Sequence, residues 1–212
     1  MAAPSALALA GALTDLQQRV RAAAFRALLA RRRPVTAAGL AASLGADVGA
    51  VRQVLETLAR ADRIRLDAAG RVVGSCGLSV VPHRHELRIG RRRYWTWCAL
   101  DAVGILGAVG ADGRVLSADA EAGGPIEVRF RGGEPTADGA VVFLADESCC
   151  PAGVDSWCPK VNFFAEPSTA RAWAEQNGVP GEAVGVREAT RRGAAQWRPL
   201  VAPAGGATGA GA

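Results

Sequence analysis

The chain has 212 residues, of which 50% are hydrophobic and 21% charged. This composition predicts a folded globular protein with one or two small domains and excludes a disordered chain. The formal net charge is +5, but acidic residues are spread among the arginines, whereas a nucleic-acid-binding protein gathers its positive charge on one face. The tight basic clusters at 31–33 and 91–93 are expected to lie in solvated turns.

The sequence also bears on the protein's location. No stretch is long and apolar enough to span a bilayer, so no membrane partner is expected. Residues 1–13 lack the basic residue before their apolar run that a secretory signal requires, and we expect a cytoplasmic protein. Residues 202–212 are rich in Gly and Ala and predict a disordered tail. Five cysteines, an odd number, favour free thiols over a disulfide framework.

Residues 1–80 predict a helical module. Apolar residues at helical spacing predict a helix over 14–30, and Thr36 is a candidate N-cap for a short second helix. A third helix is expected over 47–61. Alternating apolar residues around an Ala-Gly turn predict a hairpin at 64–73. Three helices followed by a hairpin resemble a winged helix-turn-helix module.

The winged-helix fold often binds DNA, but the residue types here argue against that function. The presumed recognition helix opens with Asp-Val-Gly-Ala at 47–50, where readers of base edges place Arg, Asn, Gln, Ser or Thr. Arg52 and Gln53 are the exceptions. Glu56 and Asp62 would bring negative charge towards the phosphates. We therefore predict a module used for packing and no nucleic-acid partner.

Residues 81–201 predict a catalytic domain, so the expected fold class is α+β with a mixed second domain of short strands. The sequence contains no repeated βαβ unit and no Gly-rich phosphate loop. The predicted helices span 94–109 and 168–177. The predicted strands lie near Val115 and at 78–81, 85–89, 126–130, 140–144, 161–164 and 184–186.

One short segment of this domain groups residues with reactive side chains. Cys98 and Asp101 lie three residues apart on the predicted helix, so their side chains are expected to share one face. Trp95 and Trp97 precede them and are expected to form the apolar wall of a substrate pocket.

A second group of thiols, Cys149, Cys150 and Cys158, lies in a predicted loop further along the chain. Together with Cys98 they could form a zinc site, although their spacing lacks the Cys-x2-Cys pair typical of structural zinc. A lone cysteine in an apolar helix is usually a buried small hydrophobe. Spacing alone therefore leaves catalysis, metal binding and burial open.

Two segments of the sequence indicate a function more specifically than the spacing of the cysteines does. Residues 93–101, Arg-Tyr-Trp-Thr-Trp-Cys-Ala-Leu-Asp, resemble the first catalytic segment of the organomercurial (alkylmercury) lyases, and residues 157–164, Trp-Cys-Pro-Lys-Val-Asn-Phe-Phe, resemble the second. The resemblance extends through most of the chain. It implies an enzyme of mercury detoxification that cleaves R–Hg⁺ to a hydrocarbon and Hg²⁺. It also implies that the family's two essential cysteines and one aspartate correspond to Cys98, Cys158 and Asp101.

The chain departs from the family pattern at two positions. Pro159 stands where many members carry a further cysteine, and Asp119 stands where another cysteine is expected. Cys149 and Cys150 are additional, and they could pass mercury inward or be incidental. The resemblance implies no separate cofactor, and it implies small thiols or a mercuric reductase as partners that accept Hg²⁺.

The implied residues suit the implied chemistry. Mercury(II) is soft and prefers thiolate ligands, so Cys98 and Cys158 are expected to hold the metal. The carbon must receive a proton, which Asp101 is expected to accept from a thiol and deliver. The apolar wall is expected to raise the pKa of this carboxyl group.

Two other functions would also use these residues. A thiol-based, metal-responsive winged-helix transcriptional regulator would use the helical module on DNA. A non-catalytic metal carrier would leave Asp101 without a role. Cys76, at the end of the predicted hairpin, is expected to lie outside the site.

Overall fold

The structure is a computed structural model and describes residues 13–146 and 153–201. The helices within these ranges are α1 (Asp15–Arg31), α2 (Ala37–Leu44), α3 (Val48–Arg60), α4 (Ala99–Val109), α5 (Pro167–Gln176) and α6 (Val186–Val201). The strands are β1 (Ile64–Leu66), β2 (Val72–Ser75), β3 (Leu78–Ser79), β4 (His85–Ile89), β5 (Arg92–Thr96), β6 (Gly113–Ala118), β7 (Pro125–Arg131), β8 (Glu134–Pro135), β9 (Val141–Ala145), β10 (Asn162–Phe164) and β11 (Gly181–Gly185).

The first three helices begin where side chains can cap them. Thr14, Thr36 and Asp47 are the N-caps of α1, α2 and α3, and each side chain accepts a hydrogen bond from the backbone N–H three residues later. Caps of this kind stabilise a helix by about 1 kcal/mol. An antiparallel pair, β1 and β2, follows the helices. The predicted helices and hairpin are confirmed, and the finer winged-helix assignment stays a prediction.

The strands form two antiparallel sheets. The larger has the order β1-β2-β3-β5-β4-β6-β7-β8, and the smaller has the order β10-β9-β11. Strand β3 pairs with β2 on one side and with β5 on the other. The larger sheet therefore runs across the expected boundary near residue 80, and the division into modules at 1–80 and 81–201 stays a prediction.

The predicted helix over 94–109 starts too early. Residues 92–96 form β5, and α4 begins only at Ala99. Tyr94 and Thr96 are buried while Arg92 and Arg93 are exposed. Aromatic and β-branched residues that alternate in this way favour a strand, which explains the error.

Helix α6 was not predicted at all, because the expected elements ended with a strand at 184–186. The strand lies at 181–185, and α6 follows it directly. This helix packs closely on α4, since a Cβ added to Gly104 would lie 2.9 Å from the Cα of Gly193. The close approach of the two helices positions Trp197, one of the residues of α6 that line the cavity at the site.

One hydrophobic cluster joins the N-terminal helices to α4 and to the strands that follow, and the α+β class is confirmed. Over the ranges that the structure covers, no helix has both the length and the apolar character needed to cross a bilayer. Cys149, Cys150 and the expected tail at 202–212 lie outside the described residues.

Candidate active site

Cys98 and Asp101 meet at the N-terminus of α4, not on one face of a helix. Cys98 is the N-cap, with an extended backbone. Its backbone N–H donates to Asp101 Oδ2 at 2.9 Å, and the Asp101 N–H donates to Cys98 Sγ at 3.4 Å. These reciprocal bonds form a capping box in which a thiol takes the place of the usual hydroxyl. The start of the helix therefore fixes the thiol beside the carboxyl group.

Cys158 reaches the same point from a distant segment. It begins a short 3₁₀ turn, Cys158–Lys160, that leads into β10. The Ala99 N–H donates to the Val161 carbonyl at 3.1 Å and ties this turn to the start of α4. The two sulfur atoms and a carboxylate oxygen of Asp101 all lie within 4.8 Å of one another. The structure thus brings the three expected residues together.

All three groups are removed from water, with exposed fractions of 0% for Cys98, 6% for Asp101 and 7% for Cys158. Burial raises the pKa of Asp101 to about 6, although hydrogen bonds from Cys98 and from the backbone act in the opposite direction. Burial also raises the pKa of Cys98 well above its usual range.

The hydrogen bond with Cys98 acts to lower the pKa of Cys158, but burial and the nearby Asp101 outweigh it, so this pKa is raised too. Both thiols therefore keep their protons at neutral pH. Asp101 is the group of the three that titrates nearest to neutrality, as its expected role requires.

The reactive groups adjoin a cavity that encloses about 570 Å³, including its open mouth. One part of the lining, here called the reacting wall, consists of Trp97, Asp101, Trp157 and Cys158. A second part, here called the N-terminal wall, consists of Arg21, Asp62, Arg63, Cys76 and Gly77. Cys98 is fully buried and is not among the lining residues, so of the two candidate mercury ligands it is Cys158 that faces the cavity.

The two tryptophans expected in the pocket differ in position. Trp97 lines the cavity, whereas Trp95 is not among the described residues that line it. The guanidinium carbon of Arg93 lies 5.1 Å from the centre of the Trp95 ring. Successive residues of a strand face opposite sides of the sheet. On β5, Trp95 therefore shares a face with Arg93, and buried Tyr94 and Thr96 lie on the other face.

The turn between β2 and β3 forms part of the N-terminal wall, and sequence reasoning missed it. Gly77 has a φ of +83°, and a Cβ added there would lie 2.2 Å from Asp101 Oδ1. Its carbonyl accepts from the Trp97 N–H at 3.1 Å, and the Cys76 carbonyl accepts from Trp197 Nε1 at 2.8 Å. The expectation that Cys76 lies outside the site is wrong, because it lines the same cavity. A Cys-Gly pair between two strands was the available turn signal.

Two residues of the N-terminal wall have strained backbones. Cys76 has a φ of +48° and Asp62 a φ of +59°, a region that residues other than Gly rarely adopt. Such conformations cluster at binding and catalytic sites. Their position on one cavity is consistent with a functional site that includes the N-terminal region.

Asp119, which stands where the resemblance led us to expect a cysteine, has a structural role. Its Oδ1 accepts from the N–H groups of Glu121 and Ala122 at 2.9 and 2.8 Å, and its Oδ2 accepts from that of Ala165 at 2.7 Å. Burial acts to raise the pKa of Asp119, but these bonds outweigh it, so the pKa is lowered. The carboxylate joins the β6–β7 turn to the segment after β10.

The geometry agrees with comparisons to known proteins. A family model described as alkylmercury lyase matches residues 78–197. The chain belongs to the alkylmercury lyase family. The alkylmercury lyase of Staphylococcus epidermidis is 33% identical over 155 residues, covering 71% of this chain and 69% of that protein. That of Streptomyces lividans is 31% identical over 156 residues, covering 72% and 70%.

A solved structure extends the likeness to most of the fold. The mercury-bound form of MerB2 superposes with a TM-score of 0.77 at 25% identity, covering 93% of this chain and 95% of that one. Alkylmercury lyases are enzymes that cleave the carbon–mercury bond. Together these matches favour the lyase over the metal-responsive regulator.

Proposed function

We propose that this protein cleaves the carbon–mercury bond of organomercurials by protonolysis, with Cys98 and Cys158 as mercury ligands and Asp101 as the proton carrier. One observation carries the proposal. In a member of the alkylmercury lyase family, two buried thiols and a buried carboxyl group lie within 4.8 Å of one another beside a cavity.

The first step is capture of the substrate, written R–Hg–X, where X is a thiolate or halide. Cys158 lines the cavity and Cys98 lies behind it without exposure, so of these two ligands Cys158 meets mercury first. The Cys158 sulfur displaces X, and the thiol proton leaves with it as HX. Thiolate is the preferred ligand of soft mercury(II), so the R–Hg group stays on Cys158.

Proton transfer follows in two stages. The Asp101 carboxylate accepts the proton of the Cys98 thiol, and the Cys98 sulfur becomes the second ligand of mercury. Two sulfur ligands increase the electron density on the carbon. Asp101 then delivers its proton, and the electron pair of the carbon–mercury bond forms the new carbon–hydrogen bond. A pKa of about 6 suits this role, because an acid–base group works best when its pKa lies near the operating pH.

The atoms balance without a further reagent. R–Hg–X and two thiols give R–H, HX and a mercury(II) ion bound by two cysteine sulfurs. We propose that small thiols or a mercuric reductase remove this ion through the cavity, starting at Cys158. The chain is then a cytoplasmic enzyme of mercury resistance that uses no separate cofactor.

We further propose that the winged-helix-like N-terminal region serves packing and the cavity, and not DNA. Its helices share one hydrophobic cluster with α4, and their acidic residues do not suit a phosphate backbone. A gel-shift of the full chain at two salt concentrations tests this, since phosphate contacts give log–log salt slopes near −0.9 per contact. Tight, sequence-dependent binding at physiological salt would support the regulator instead.

The central experiment is direct. Pure protein is incubated with phenylmercury and excess 2-mercaptoethanol, and benzene is measured by gas chromatography. We expect the wild type to release benzene over many turnovers. The Cys98→Ser/Cys158→Ser double variant should release none above the thiol-only blank. Benzene at the level of the thiol-only blank would contradict the proposed function.

A further inference from the structure

Arg21, on the N-terminal wall, has no anionic partner among the residues that the structure describes. The residue is only 8% exposed, and its buried Nε has no hydrogen-bond partner within residues 13–146 and 153–201. No carboxylate in these ranges forms an ion pair with Arg21 either. Arginine is almost never buried without a partner. Because Arg21 lines the cavity, the missing partner is expected to enter from the cavity.

Trp157 supplies a second donor on the same cavity. Its side chain is buried, with 8% of the residue exposed, and its Nε1 has no acceptor among the residues described. Unsatisfied buried donors are rare in folded proteins, and each one calls for a physical explanation. Two of them along one cavity indicate a ligand that carries acceptor oxygens.

The charge of the N-terminal wall favours an anion. Burial and the positive charge of Arg21 lower the pKa of Arg63, and they outweigh the opposing effect of Asp62, so the two guanidinium groups lie near enough to repel. The carboxylate on this wall, Asp62, is already paired with Arg65, whose Nη1 lies 2.9 Å from its Oδ1. An incoming anion would relieve the repulsion between the two arginines.

We infer that Arg21, assisted by the Trp157 N–H, binds a carboxylate carried by the organomercury species that enters the cavity. The planar guanidinium fork matches a carboxylate with two parallel hydrogen bonds. The carboxylate belongs either to the organic group R or to a thiol X bound to the mercury. This inference rests on the proposed function, because it concerns how the substrate is held beside Cys158.

The first arm of the test places the charge on R. It compares 4-carboxyphenylmercury with the neutral 4-carbamoylphenylmercury, each with 2-mercaptoethanol. We expect Arg21→Gln to raise KM for the carboxylate roughly 10–100-fold, as for a lost hydrogen bond to a charged group, with little change in kcat. KM for the neutral compound should change less than about 3-fold. Arg21→Lys should restore part of the loss.

The matched control is Arg31→Gln. Arg31 lies on the same helix but is exposed, so this variant changes the net charge equally without touching the cavity. Its KM for both compounds should equal that of the wild type.

The second arm places the charge on X. It compares phenylmercury with 3-mercaptopropionate and phenylmercury with 2-mercaptoethanol, again in the wild type and Arg21→Gln. Dependence on Arg21 in this arm alone supports the inference and assigns the carboxylate to the thiol. Dependence in the first arm alone supports it and assigns the carboxylate to R.

Two outcomes overturn the inference. One is an equal effect of Arg21→Gln on charged and neutral members of both pairs. The second applies if Arg21→Gln does not fold, when the kinetics of the wild type decide. It is the absence, in both pairs, of a lower KM for the carboxylate than for its neutral counterpart. Failure of the proposed function is distinguishable, because the wild type would then cleave none of the compounds, which overturns both claims.

Discussion

The reacting wall and the N-terminal wall of the cavity come from different parts of the chain and carry different chemical groups. The reacting wall lies within residues 78–197, the part that matches the alkylmercury lyase family, and it carries the groups that we propose as the proton donor and as the thiol that meets the substrate. The N-terminal wall precedes that match and contributes charge and a tight turn instead. In this account, one region of the chain carries the reaction, and another holds the reacting groups in place and selects what reaches them.

The largest effects should come from the two thiols. Cys98→Ser and Cys158→Ser should each reduce benzene release by roughly 10³-fold or more, as expected for residues that act as a unit. Cys98→Ser should still capture phenylmercury, because Cys158 faces the cavity, and intact mass should detect the adduct. Near-normal turnover by either variant would show that its cysteine is misassigned.

The next effect concerns the turn that supports Asp101. In Gly77→Ala the new Cβ would collide with the Asp101 carboxyl group, at 2.2 Å from Oδ1. Gly70→Ala is the matched control, since Gly70 also has a positive φ but has no atom within 4 Å of an added Cβ. We expect Gly70→Ala to lower the free energy of unfolding by about 1–2 kcal/mol. Gly77→Ala should lower it by about 1–3 kcal/mol more than Gly70→Ala does.

Turnover separates the two glycine variants further. Gly77→Ala should lose at least about 10-fold in kcat/KM through misplacement of the carboxyl group, and Gly70→Ala should lose none. Denaturant unfolding and benzene release measure both effects. Equal stability and equal turnover of the two variants would contradict a supporting role for the N-terminal wall.

Asp101 should make the fold less stable at neutral pH. Its pKa is raised to about 6 in the folded state from an ordinary value of 3.8. Between pH 3.8 and pH 6 the folded protein therefore binds more protons than the unfolded chain does. The stability that its protonated form contributes is present below pH 4 and is lost as the pH rises through 6. Asp101→Asn removes this loss and should be more stable than the wild type by roughly 2–3 kcal/mol at pH 7.5.

Urea denaturation at pH 4 and at pH 7.5 measures the difference. The advantage of Asp101→Asn should be small at pH 4, where both side chains are neutral. A variant that is less stable than the wild type at both pH values would show that the charge of Asp101 is well accommodated.

The smallest effect is expected for Cys76→Ser. Cys76 lines the N-terminal wall, but the group of candidate mercury ligands in the described ranges contains only Cys98, Asp101 and Cys158. Its sulfur lies 3.9 Å from the Arg21 carbonyl, a weak contact that a serine hydroxyl can replace. Turnover should stay within about 3-fold of the wild type. A folded but inactive variant would add this thiol to the chemistry.

The sequence singled out the three residues that the structure brings together, but not the reason for their proximity. Cys98 and Asp101 were expected to share a helical face, whereas they form the capping box of α4. The segment before Cys98 contains Tyr, Trp and Thr, which favour a strand. The helix prediction gave more weight to the apolar character of the segment than to this preference. Local propensity could have placed the helix start correctly.

The N-terminal wall depends on contacts that no local pattern reveals. Cys76 and Trp197 are joined by a hydrogen bond across 121 positions, and Arg21 reaches the cavity only through the packing of α1. Helix α6 is a different case. Val186, Ala189, Gly193, Trp197 and Leu200 recur at helical spacing and are buried, so periodicity alone could have predicted it.

The most direct test of the account is the reaction of Asp101→Asn with phenylmercury. The side chain keeps its shape and can still accept the Cys98 N–H, but it cannot carry a proton. We expect benzene release to fall roughly 10²–10⁴-fold, while Hg²⁺ still binds to Cys98 and Cys158. Intact mass should then show a stalled enzyme–phenylmercury adduct. Near-normal benzene release by Asp101→Asn would contradict the account, because the proton would then come from water or from a thiol.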